Sequence, residues 1–297
     1  MSPSRALVLL LLVALCWGIN YPVGKLLLDY MPPLWVVCLR SIVATAALLV
    51  LCLASGRLVL PKRADMPVVL STAILQMMVF SALVSAGLQF VEAGRSAVLA
   101  YTTPIWVLPG AWLLLGERPT WQRTAGAAIA MLGLVTMFGP WAVPWSDKNA
   151  LIGNGLILLA AFFWSLNIIY IRAHKWVTPP FELTFWQALL ASILLLPVTV
   201  WLEGVPALSF SPRLWGLLLY GGVFGIAIAY WIMTTVNKAL PSSFTSLASL
   251  LVPVFGLVSS WVMLSERPDW PLIGSAVLIV AGVAVGAFTR KSVADRP

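Results

Sequence analysis

Trp17-Gly18-Ile19-Asn20-Tyr21-Pro22-Val23-Gly24-Lys25 returns 147 residues later, with no gap, as Trp164-Ser165-Leu166-Asn167-Ile168-Ile169-Tyr170-Ile171-Arg172. The tryptophan, the asparagine one turn on and the closing cation all keep their places. Pro32-Pro33 falls on Pro179-Pro180 at the same offset. At an offset of 149, Pro104 meets Pro253, Trp112 meets Trp261, Glu117-Arg118-Pro119-x-Trp121 meets Glu266-Arg267-Pro268-x-Trp270, and Gly133 meets Gly282. A two-residue insertion accounts for the change of offset. The chain is therefore read as two copies of one unit, 1–146 and 147–297, since self-similarity at a fixed period marks a repeated structural element.

Each copy is almost wholly apolar. Of 297 residues, 61% are hydrophobic and 9% charged, where a soluble domain has about 45–50% and about 25%. A soluble enzyme, a disulfide-built secreted module and a disordered regulator are excluded by this alone. Stretches of about 20 residues without interior charge are long enough to cross a bilayer as helices. Ten are expected, at Arg5–Leu28, Leu34–Ala54, Pro67–Phe90, Ser96–Leu115, Thr124–Trp141, Ala150–Ile171, Leu183–Leu202, Leu214–Val236, Ser243–Leu264 and Pro271–Phe288. Only Ser55–Met66 and Pro140–Asn149 are long enough to be loops. The expected class is an all-α polytopic membrane protein with five spans per half. Arg5 with the apolar run after it imitates a secretion signal, but no Ala-x-Ala cleavage site follows, so it is read as the first retained span.

Five is odd, so the second copy must enter the membrane upside down relative to the first. Inverted repeats are a recurrent plan of secondary transporters, with the substrate site near the midplane between the halves. Cytoplasmic loops carry the excess of Lys and Arg. With the N-terminus inside, twelve basic residues fall on the cytoplasmic side and five on the other, with Arg40 left over inside the second span. Both termini are expected in the cytoplasm of a cell with the protein in its inner membrane. The net charge of +8 then belongs to loops facing anionic lipid, and no nucleic-acid partner is expected.

The interior polar residues narrow the function. All ten acidic residues lie in loops or at span ends, which leaves no midplane carboxylate to serve as a proton relay or as counter-ion to a cationic drug. Asn20 and Asn167 sit deep in equivalent helices; they either line a central cavity or bond between helices. Gln76, Gln89, Tyr101, Thr102, Thr103, Tyr170, Gln187, Tyr230, Thr234, Thr235, Ser246 and Ser249 extend the polar set, some of them serving backbone groups beside prolines and glycines. Trp17, Trp164, Trp186 and Trp231 lie away from span ends and suit an apolar or aromatic substrate, or simply pack. Trp35, Trp121, Trp141, Trp145, Trp176, Trp201, Trp215 and Trp270 read as an interfacial belt. Arg40 lies roughly 10 Å below the outer end of its helix, by 1.5 Å per residue from Pro33. It binds a carboxylate, holds an aromatic face or reaches back to the headgroups, and its repeat partner is Gln187. Gly221-x-x-x-Gly225 and Gly282-x-x-x-Gly286 permit close helix approach, within the chain or in a weak homodimer.

Several chemistries are excluded. Cys16, Cys38 and Cys52 lie in apolar runs and form no CxxC pair. Gly18 to Lys25 misses the phosphate loop, because five residues separate the glycines where four are needed and Leu26 replaces the magnesium-binding Ser or Thr. His174 is the only histidine, so neither a zinc-protease motif nor a histidine-based triad is available. No catalytic residue, metal or cofactor is expected.

Trp17-Gly18-x-Asn20, Lys25, Pro32-Pro33, Arg40, Pro104, Leu115-Gly116-Glu117-Arg118-Pro119 and the Gly126 to Gly133 helix, echoed in the second half, resemble the EamA-type family of the drug/metabolite transporter superfamily. The resemblance spans nearly the whole chain, and is greatest to the YddG-type exporters of aromatic and neutral amino acids. It implies two inverted five-helix repeats, alternating access and export of amino acids or other metabolites. The second half departs with Ser165 for glycine and Gln187 for arginine. Expected substrate-contacting residues are Trp17, Asn20, Arg40, Tyr101, Trp164, Asn167, Trp186 and Gln187. Other metabolites or lipophilic drugs on the same fold stay open as cargo, and a membrane scaffold or receptor without flux is the more distant alternative.

Overall fold

The computed structural model describes residues 3–116, 120–137, 147–208, 211–237 and 251–287. Glu117-Arg118-Pro119, Trp141, Trp145, Lys238, Ser246, Ser249, the start of the ninth span and the basic C-terminus at Arg290, Lys291 and Arg296 lie outside the described residues, as do the side chains of Thr234 and Thr235.

Among the described residues, ten helices follow one another where the apolar runs place them. They are α1 (Pro3–Leu27), α2 (Pro33–Ala54), α3 (66–87), α4 (Ala93–Leu115), α5 (Trp121–Met137), α6 (Lys148–Ala173), α7 (Pro180–Glu203), α8 (212–237), α9 (Leu251–Leu264) and α10 (Trp270–Ala287). Seven spans are long and apolar enough to cross a membrane on length and composition; the apolar stretches of α5, α9 and α10, at 10–17 residues, are shorter.

The repeated double proline is a helix start. Pro32 is extended at φ −61°, ψ 159°, and Pro33 opens α2; Pro179, at φ −54°, ψ 137°, precedes Pro180 at the start of α7. Proline suits the first helical position because its missing N–H has no partner there anyway. Asp147 caps α6 by accepting from the Asn149 and Ala150 amides at 2.9 and 3.3 Å, and Ser211 caps α8 through the Leu214 amide at 3.2 Å.

Three helices are interrupted. The third helix of each half carries a π segment, Thr72–Phe80 in α3 and Tyr220–Ile228 in α8, at the same place in the repeat. The two segments supply Gln76, Gly221 and Gly225 to the site below. α4 is broken between Ala100 and Thr103, where Pro104 has no N–H to offer the Ala100 carbonyl. Pro22, Pro109 and Pro197, in contrast, stand inside continuous helices.

The halves interleave. α1 packs on α8 and α9, α6 on α3 and α4, α2 along α7 and α5 along α10. At α5 and α10 the backbones touch: a Cβ on Gly126 would meet the Gly282 carbonyl, and one on Gly282 the Gly126 carbonyl. The Gly282-x-x-x-Gly286 stripe is thereby occupied within the chain.

Acids tie the helix ends across the halves. At the end that the charge count assigns to the outside, Glu203 accepts from the Leu34 and Trp35 amides at 3.0 to 3.2 Å. Glu266 there accepts from the Ala93 and Gly94 amides at 3.1 and 3.2 Å, with the Lys25 ammonium 3.6 Å away. Carboxylates at helix N-termini satisfy orphan amides and meet the positive end of the helix dipole. At the other end, buried Asp65 accepts from the Val177 and Thr178 amides at 3.2 and 2.9 Å and meets His174 at 2.9 Å.

Trp121, Trp201 and Trp270 are 74 to 83% exposed near helix ends, in keeping with an interfacial belt. Trp35 is not part of it. Its ring is buried at 8% exposure and its Nε1 donates to the Gly204 carbonyl at 2.7 Å, because the loop after α7 folds over the start of α2.

Candidate central cavity

A cavity of about 190 Å³ lies at mid-depth between the halves. Drug-sized pockets run to about 300–1,000 Å³, so this one has room for a small metabolite. Its wall comes from α1, α2, α3, α4, α6, α7 and α8, and is mostly apolar and aromatic with a few convergent polar groups.

The aromatic part is built in two clusters. Trp164 stands edge-on to Tyr101, with ring centres 5.5 Å apart, and is 5.1 Å from Phe80. Trp17 meets Tyr230 edge to face at 6.1 Å. Tyr101 sits on the break in α4, which turns its ring into the cavity.

The polar part is asymmetric. Arg40 donates through Nη2 to Asn20 Oδ1 at 2.8 Å, and Asn20 Nδ2 donates to the Gly225 carbonyl at 3.3 Å. This is the one hydrogen bond Arg40 makes among the described residues, and its buried Nε has no acceptor. The guanidinium lies inside the bundle against Gly24 of α1 and Gly221 of α8, and does not reach back to the headgroups. Gly221 and Gly225 are small for a reason the sequence leaves hidden: Arg40 lies on the first and the Asn20 amide on the second.

Asn167 stands in the second half where Asn20 stands in the first, but it is fully buried behind the wall. It accepts from Ser71 Oγ at 2.8 Å and donates to Gln76 Oε1 at 2.8 Å, and Gln76 in turn donates to the Tyr230 hydroxyl. A chain of bonds thus joins α6, α3 and α8 beneath the cavity. Of the eight residues expected to contact substrate, the wall brings together Trp17, Asn20, Arg40, Tyr101 and Trp164. Three are elsewhere. Asn167 is behind Gln76; Gln187 is buried in α7 off the wall; and Trp186, next to it in α7, is also off the wall, its Nε1 donating to the Val59 carbonyl at 2.8 Å. The wall also uses Tyr21, Phe80 and the serines Ser41, Ser81 and Ser85, which the repeat does not single out because each has a different residue at its counterpart.

The profile of the EamA-like transporter family matches residues 4–139 and again residues 151–287. The chain belongs to this family. Among relatives, it is 24% identical over 277 residues to the uncharacterized transporter YoaV of Bacillus subtilis, covering 93% of this chain and 94% of that one. It is 27% identical over 290 residues to a probable amino-acid metabolite efflux pump of Escherichia coli, covering 95% and 94%. A crystal structure superposes with a TM-score of 0.66 at 20% identity over 96% of each chain, a likeness of fold. This member of the EamA-like family is a multi-pass membrane transporter of the drug/metabolite superfamily, working on small molecules across a lipid bilayer.

Proposed function

We propose that the protein exports neutral and aromatic amino acids across the inner membrane by alternating access, with both termini in the cytoplasm. The halves 1–146 and 147–297 act as inverted copies that rock around the cavity. The observation that carries this reading is the cavity itself, built at mid-depth from both halves, with the repeat-related Trp17 and Trp164 on its wall. Trp17, Trp164 and Tyr101 offer rings to an apolar side chain, Asn20 offers an amide, and Arg40 offers donors to a carboxylate. Asn167 works from behind by fixing Gln76. The size of the cavity favours a metabolite over a bulky lipophilic drug.

The test is reconstitution in liposomes with labelled phenylalanine, methionine, alanine and a cationic dye, with and without a pH gradient. Saturable flux of the amino acids supports the reading. Flux of the dye without amino-acid flux overturns it, and no flux of any solute points to a scaffold or receptor.

A further inference from the structure

Among the described residues, Arg40 is the only charged one on the cavity wall. It holds five N–H donors in its guanidinium, of which one is used, and no carboxylate of the described residues lies within ion-pairing distance of it. An unpaired charge inside a membrane protein is costly and marks a functional partner. What is missing is an anion, and the described residues of the wall supply none. It also supplies no counter-ion for a cation: the nearest candidates to receive an ammonium are ring faces and amide oxygens.

Resting on the reading of this cavity as the amino-acid site, we propose that it also carries, and prefers to the zwitterion of the same ring, an organic monoanion: an aromatic carboxylate without a compensating ammonium. Its carboxylate pairs with Arg40 between α1 and α8, and its ring lies among Trp17, Tyr101 and Trp164. A zwitterion is the poorer fit, because its ammonium enters a chamber that already carries one uncompensated positive charge. The same charge count bears on the driving force. Carrying one negative charge outward across an interior-negative membrane is favourable by about 2.3 kcal/mol per 100 mV, which is roughly a fifty-fold gradient. Uniport of a monoanion therefore needs no proton relay, in accord with a cavity wall that has no carboxylate among the described residues.

The test uses the full-length protein and three probes that share a ring: 3-phenyllactate, in which a hydroxyl replaces the ammonium, phenylalanine, and phenethylamine. In detergent, the expected result is that 3-phenyllactate binds at least about tenfold more tightly than phenylalanine, and phenethylamine not at all. Arg40→Gln removes the binding and Arg40→Lys retains part of it. In proteoliposomes, with protein-free vesicles subtracted, an inside-positive potassium diffusion potential is expected to drive accumulation of 3-phenyllactate. The wild-type potential dependence needs no variant to fold. If phenylalanine moves as fast or faster and is indifferent to potential, the transporter reading stands and this inference falls. Preferred transport of phenethylamine also overturns it. If none of the three moves, both readings fall.

Discussion

Arg40 lies lengthwise against the backbone of Gly221: a Cβ there would fall 2.5 Å from Nε and 3.1 Å from Cδ. Neither atom is the free tip of the side chain, so a methyl group at this place must push the whole guanidinium toward Gly24. Gly221→Ala is expected to lower substrate affinity by about tenfold, the scale of one misplaced charge-assisted hydrogen bond. Gly216→Ala, on the same helix with open space around it, is expected to leave affinity unchanged. Substrate titration of the two purified variants decides it; equal affinities would remove the packing of Arg40 on Gly221 from the account.

The two equivalent asparagines should respond differently. Asn20→Ala takes away the one acceptor of Arg40 and is expected to reduce transport more than thermal stability. Asn167→Ala takes the partner from Gln76 Oε1, Ser71 Oγ and Thr72 Oγ1; Thr72 is buried, and a buried polar group left unpaired costs about 1–3 kcal/mol. Thermal unfolding in detergent alongside liposome flux separates the two effects. A wild-type rate in the Asn20→Ala/Asn167→Ala double variant places both residues in packing alone.

The contact of α5 with α10 is set by glycine. Gly126→Val and Gly282→Val each drive a side chain into the opposing backbone and are expected to destabilise the fold by at least about 1–3 kcal/mol, the usual range for overpacking. Gly274→Ala, with nothing within 4 Å, should be neutral. Retained monodispersity and thermal midpoint in the valine variants would contradict the contact.

Glu266 holds the start of α4 by two amides. Glu266→Ala is expected to cost about 1–2 kcal/mol, as for loss of a helix cap, and Glu266→Gln less, because its amide oxygen still accepts. Lys25→Met leaves the cap in place and is expected to cost less than Glu266→Ala, since the Lys25 side chain is partly exposed and such pairs are worth little. Thermal unfolding of the three variants checks the order.

The course of the chain through the membrane is legible in the sequence because it rests on short-range facts: runs of apolar residues, double prolines that start helices, and a repeat that keeps both. The pairing of Trp17 with Trp164 across the cavity follows from the same symmetry. What symmetry hides is where the halves differ. Asn167 shares its place with Asn20 but donates to the side chain of Gln76, whereas at the 149-residue offset the second half has Gly225, whose backbone carbonyl takes the Asn20 amide. Gln187 takes the place of Arg40 and stays off the wall. The π segments have no signature in the apolar pattern, since an extra residue in a helical turn leaves composition unchanged. Trp35 reads as interfacial from its position and is buried by a loop from 169 residues away.

The carboxylates that finish α2 and α4 are made late. The Leu34 amide waits for Glu203, 169 residues downstream, and the Ala93 amide for Glu266, 173 residues downstream. A ribosome that has delivered all five helices of the first half has therefore delivered neither acceptor, and until then those amides rely on water at the membrane surface. The first half of this protein reaches its final form only once its ninth helix has been synthesised, so the two halves mature together however early the first is inserted.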